Sequence, residues 1–120
     1  LKPLMHRNEP GASARPDWAA RETSAAEAEA KLGAHYAKID AELGAGQYLC
    51  GDFSAADIAV FLQFFYAQRL GGPSMKKYQR LWEWYRRVKA RNSVSRMIGE
   101  TLGADAELSA PVSGAFKDAP

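Results

Sequence analysis

Cysteine is nearly absent. Cys50 is the one cysteine in 120 residues, so neither an internal disulfide nor a cysteine-rich zinc site can form. A lone thiol is compatible with a reducing cytosol. Histidine is almost as scarce: His6 and His35 stand without partners at ligand spacing, which leaves no metal centre to assign. No run of about 18 apolar residues occurs, so nothing reads as a membrane span. Leu1–Met5 is no secretory signal, and the start at leucine suggests a cut or processed chain. Neither charge sign dominates, since 16 Lys+Arg against 14 Asp+Glu leave a net charge of +2 that selects no anionic partner by itself. Two patterns are also lacking. No internal repeat is visible, and no stretch alternates apolar and polar residues over a strand's length between turn signals.

What remains is helical. The 47% hydrophobic and 25% charged fractions are those of an ordinary soluble domain, and 120 residues suit one core. Residues 1–8 read as the end of an element, and Glu9–Pro16 as a loop. From about Asp17 to Leu43, Ala25, Ala28, Leu32, Tyr36, Ile39 and Leu43 recur at steps of three or four and line one helical face. Glu27 precedes Lys31 in the favourable surface order. Gly44 and Gly46 stop this helix. The next helix, about Ala55 to Leu70, is apolar on most sides, which predicts a place at the centre of a bundle. Gly71-Gly72-Pro73 ends it. A fourth helix is expected over about Ser74 to Arg91, with Tyr78, Leu81, Trp82, Tyr85 and Val88 on one face. Ser93 caps a short fifth through about Leu102. The fold class is therefore all-α, a bundle of about five helices, with a helical domain over residues 1–103 and an extended or partly ordered tail over 104–120.

The most informative segment is Gly51-Asp52-Phe53-Ser54-Ala55-Ala56-Asp57-Ile58. Ser54 is an N-cap and Asp57 the third helical residue, so each side chain can reach the other's backbone N–H as in a capping box. Phe53 and Ile58 occupy the flanking hydrophobic staple positions. Asp57 also puts negative charge at the positive end of the helix. A helix too apolar to be placed by amphipathicity needs such a device to define its start.

Leu49 to Ile58, Leu-x-Gly-Asp-Phe-Ser-x-Ala-Asp-Ile, resembles the signature of the glutathione S-transferase C-terminal domain. Ile39-Asp40-x-x-Leu43 matches the helix end that precedes this turn. Tyr78, Leu81, Trp84 and the run Val88–Val94 resemble the next helix and its exit, with Asn92 where the family usually has proline. The resemblance spans roughly residues 25–100. It implies a bacterial-type helical domain whose parent, a cytoplasmic and commonly dimeric transferase, conjugates glutathione to electrophiles. The thiol-activating residue and most glutathione contacts belong to a thioredoxin-like N-terminal domain, which these residues do not include. No catalytic residue and no cofactor is therefore assigned to this chain; glutathione would be the parent's co-substrate. The resemblance also implies that Tyr66, late in the central helix, faces the electrophile cleft, with Met5 and Leu4 as weaker candidates. The expected partners are the thioredoxin-like domain and a second copy, and Met5, Tyr66 and the aromatics Trp82–Tyr85 are the expected contributors to an exposed apolar docking surface. The alternative is a non-catalytic assembly module of the same fold.

The simpler readings stand beside these. Ser54 and Asp57 start a helix, Cys50 has nothing near it in sequence to activate it, and the tryptophans and tyrosines pack. Residues 76–96 carry eight basic side chains against Glu83 alone, a local excess of seven. Such a stripe could bind nucleic acid, but a solvated helix face or interdomain salt bridges explain it more simply.

Overall fold

The computed structural model describes residues 2–108 and 116–118. Five α-helices follow in order: α1 Lys2–Met5, α2 Trp18–Leu43, α3 Ala55–Arg69, α4 Gln79–Lys89 and α5 Asn92–Leu108. Short 3-10 turns at His6–Asn8 and Ala12–Ala14 join α1 to α2. The described residues contain no strand, only an isolated bridge between Cys50 and Asp52. The fold is all-α.

Helix α2 buries Ala25, Tyr36 and Leu43 along the expected face. It ends at Gly44, whose positive φ of 51° suits glycine. Helix α3 ends in a Schellman motif. Gly71, at φ 80°, donates to the Gln68 carbonyl, and the Gly72 N–H donates to Ala67 O at 2.9 Å. A Cβ on Gly72 would lie 2.8 Å from that carbonyl oxygen, so the motif requires glycine at both positions.

The core forms where α2, α3, α4 and α5 meet. Phe64 of α3 packs edge-on against Tyr36 of α2 at 4.8 Å, and Phe61 stacks on Tyr85 of α4 at 4.7 Å. Val94 and Ile98 of α5 close the cluster. Such ring pairs add to the stabilisation from buried area alone.

Helix α3 is not enclosed on all sides. Its inner face buries Asp57, Phe61, Phe64, Phe65 and Gln68. Ile58, Leu62 and Tyr66 remain 44%, 42% and 49% exposed. An even distribution of apolar residues around a helix predicts central burial, and here one apolar side faces outward.

Two other helices depart from their expected bounds. Helix α4 starts at Gln79 instead of Ser74, because residues 75–78 form a turn that buries Met75 completely. Tyr78 offers no capping side chain. Asp40 of α2 supplies the cap instead, its Oδ1 accepting from the Leu81 N–H at 2.8 Å. Helix α5 already includes Asn92 and Ser93 and runs on to Leu108 instead of stopping near Leu102. Asp105, on the added turns, is buried and chelates the Arg69 guanidinium. The boundary drawn at 103/104 thus falls inside α5. Beyond it, Phe116 packs on Phe65 at 6.0 Å, and buried Asp118 accepts from the Ser74 hydroxyl at 2.7 Å and the Met75 N–H at 2.9 Å. The rest of the expected tail, residues 109–115 and 119–120, lies outside the described residues.

Candidate functional site

The start of α3 is a buried polar centre. Asp57 is fully buried. Its carboxylate accepts from the Ser54 N–H at 3.0 Å, the Leu49 N–H at 3.0 Å and the Trp84 indole Nε1–H at 2.8 Å. The Ser54 hydroxyl donates to it at 3.3 Å and accepts from the Ala56 N–H at 3.3 Å. The capping box is thus present in both directions. Burial works to raise the Asp57 pKa, but the hydrogen bonds from Trp84, Leu49 and Ser54 outweigh it and hold the carboxyl below the usual aspartate value. One carboxylate therefore ties together the α2–α3 turn, the start of α3 and the middle of α4. Neither Asp57 nor Ser54 lies on an open cleft, and the geometry is structural. The bond from Trp84 was not legible, since nothing in sequence ties it to a residue 27 positions away. Of the two staple residues, Phe53 is half-buried against Tyr48 with the Arg91 guanidinium over its ring, while Ile58 sits on the exposed side.

The outward side of α3 is a surface with room for a ligand or partner. Ile58, Leu62 and Tyr66 follow at i, i+4 and i+8 and form one ridge. A trough of about 440 Å³ runs on one flank, between Leu32, His35 and Ile39 of α2 and Ala59, Val60 and Phe64 of α3. A second, of about 460 Å³, lies on the other flank, where Leu62, Tyr66 and Arg69 face Met97 and Thr101 of α5. The Arg69 guanidinium sits 5.0 Å from the Tyr66 ring centre while Asp105 neutralises it. Between Ala55 and Gln68 the only charged residue is Asp57, which is buried, so the ridge carries no charge.

Of the three cleft candidates, Tyr66 lies on this ridge. Met5 is 41% exposed but is not among the described residues that line either trough. Leu4 is buried at 1% exposure, the one buried residue of α1, and presents no surface there. The aromatics expected on the exposed patch are elsewhere: Trp84 and Tyr85 are buried, and Trp82 is half-buried and stacked on Tyr85 at 6.1 Å. Ile58 and Leu62 take their place, and a full-turn apolar pattern gave no signal for which side would face out. Burial pushes the Tyr36 phenol up to about 12, and the Tyr85 phenol is raised as well for the same reason. Neither is poised for proton transfer near neutrality. Cys50 is exposed on the α2–α3 turn. Among the described residues no group of three His, Cys, Asp or Glu side chains is placed to hold a metal ion, and no helix is long and apolar enough to cross a membrane.

No curated protein and no solved structure matches this chain. A protein-family model does: the glutathione S-transferase C-terminal domain, over residues 16–87. The match takes in the Leu49–Ile58 segment and all of α2 and α3, and stops before the Val88–Val94 run. With more than half of its length matched and an all-helical fold built around the Ser54–Asp57 cap, the chain belongs to the glutathione S-transferase C-terminal domain family.

Proposed function

We propose that this domain is the substrate-binding half of a glutathione transferase, and that the uncharged ridge of α3 docks a thioredoxin-like domain which holds and activates glutathione. The observation that carries this reading is the exposure of three large apolar side chains, Ile58, Leu62 and Tyr66, along one side of a helix whose opposite side is buried in the core. Contiguous exposed apolar surface of this kind is normally covered by a partner. In the assembled protein Tyr66 faces the electrophile, and the apolar walls of the flanking troughs position it for attack by the glutathione thiolate. The domain acts by orientation; the nucleophile and the groups that lower its pKa belong to the other half. The whole protein is read as a cytoplasmic dimer.

The purified chain tests this directly. With glutathione and a chlorodinitrobenzene-type electrophile it should show no turnover above the uncatalysed rate. Turnover by the 120-residue chain alone would place the chemistry here and overturn the reading. In sedimentation the chain should self-associate as its concentration rises, through the uncovered ridge. A strict monomer at high concentration removes the evidence for a docking face.

A further inference from the structure

The arginines of this protein fall into two populations, and of the lysines just before α4, Lys76 pairs with Asp118 while Lys77 has no ion pair among the described residues. Arg7 is paired with Glu22 and Glu29, Arg15 and Arg21 with Asp17 and Glu9, and Arg69 with Asp105. On and around α4 the pattern is reversed. Lys77, Arg80, Arg86, Arg87, Arg91 and Arg96 make no ion pair with any described residue. All six are exposed or half-exposed.

Several of these cations are nonetheless held in place. Arg87 donates from Nη1 to the Gln47 carbonyl at 2.6 Å and lies over the Tyr48 ring at 5.8 Å. The Arg91 guanidinium is 3.6 Å from the centre of the Phe53 ring, and Lys77 sits 5.0 Å from that of Tyr78. Contacts with carbonyls and ring faces orient a cation without cancelling its charge. Beside the stripe lies a groove of about 330 Å³ between the Gly44–Gln47 loop and Gln79, Arg80, Glu83 and Arg87.

We propose that this outer face of α4, from Arg80 to Arg91 and continued by Arg96, docks an acidic segment of a partner protein. Its pre-oriented, unneutralised cations complement carboxylates and steer their approach. The 11 residues of α4 extend about 16 Å, the reach of about five residues of extended chain. Two features favour a peptide over a nucleic acid. Glu83 interrupts the stripe between Arg80 and Arg87, which disfavours an unbroken row of phosphates but suits a peptide of mixed charge. The Tyr48 and Phe53 ring faces are occupied by arginines and are not offered to bases, as a single-strand binder requires. The proposal concerns the side of the molecule built on α4 and is independent of the transferase reading of α3.

The test is fluorescence anisotropy of labelled probes with the full chain at low salt. A glutamate-rich peptide with interspersed lysines should bind, and binding should weaken steeply as salt rises. Its glutamine counterpart, a short DNA duplex and a single-stranded RNA should bind more weakly. Arg80→Glu with Arg86→Glu should reduce affinity about tenfold or more, because both side chains are exposed and neither holds the fold. Lys31→Glu with Lys38→Glu changes the net charge equally on α2 and should leave affinity within about twofold. Circular dichroism checks each variant, and Arg80→Gln with Arg86→Gln replaces the reversal if that fails to fold. Absence of peptide binding at low salt overturns the proposal. So does equal or tighter binding of either nucleic acid, or an equal loss from the α2 reversal.

Discussion

The two sides of α3 are built from the same kinds of residue and have opposite fates. The inner side buries Phe61, Phe64 and Phe65 against α2, α4 and α5 and begins at the Asp57 centre. The outer side shows Ile58, Leu62 and Tyr66 to solvent. Hydrophobicity alone does not separate them. The difference is directional: the capping box sets the first turn, and the indole N–H of Trp84 fixes which way the Asp57 carboxylate faces. Once that side is turned inward, positions four and eight residues beyond Ile58 must face out.

The largest effect should come from the centre itself. Asp57→Ala leaves the buried Trp84 indole and the Leu49 and Ser54 N–H groups without their acceptor. A loss of about 3–4 kcal/mol is expected in urea unfolding, beyond the ~1 kcal/mol of an ordinary exposed cap. A loss of only ~1 kcal/mol would show that the link to α4 contributes little and that Asp57 is merely a local cap.

Trp84→Phe keeps most of the ring and deletes the one donor that joins α4 to Asp57. The expected loss is about 2 kcal/mol, from a missing charge-assisted hydrogen bond and a small void. The Asp57 pKa should also rise, because the strongest of the hydrogen bonds that lower it has gone. An unchanged acid-unfolding midpoint would count against the indole as the orienting group.

The pH dependence sharpens the same point. The folded Asp57 pKa lies below the unfolded value, so its stabilisation is complete above about 3.9, the unfolded aspartate pKa. It is lost as pH falls through the lower folded value. Asp57→Asn should therefore flatten part of the acid limb. The alkaline limb should persist in that variant, since it comes from Tyr36 and Tyr85. Their folded pKa values are raised by burial, to about 12 for Tyr36, so stability present below the unfolded tyrosine value of about 10 is lost as pH climbs beyond it. An acid limb identical in the variant and the wild type would mean that Asp57 does not set acid stability.

Much of this fold was legible from local chemistry. Periodicity placed the face of α2, glycines placed the helix stops, and Ser54–Asp57 placed the start of α3 to the residue. What escaped depended on partners distant in the chain. Asp40 caps α4 from α2, which is why the start of α4 shifts to Gln79. Asp105 and Asp118 fasten the end of α5 and residues 116–118 to the body through Arg69, Ser74 and Met75, contacts that local composition does not announce. The candidate site was half legible. Tyr66 was named by resemblance, but the ridge it belongs to was hidden because no charged residue marks the outer side of α3.

The smallest stability effect should belong to that ridge, and it is the most telling for function. Leu62 is 42% exposed and borders an open trough, so Leu62→Ser leaves no enclosed cavity; its loss of stability should be about 1 kcal/mol, from partial apolar contact and lower helix propensity. Phe64→Ala, two residues on but pointing inward, should lose about 3–5 kcal/mol. The pair separates packing from docking, because Leu62→Ser should abolish concentration-dependent self-association in sedimentation while shifting the unfolding curve only a little. If Leu62→Ser instead destabilises as strongly as Phe64→Ala, the outer side is part of the core in solution. The exposed ridge would then be no docking surface, and the assignment of α3 as the seat of a second domain would fail with it.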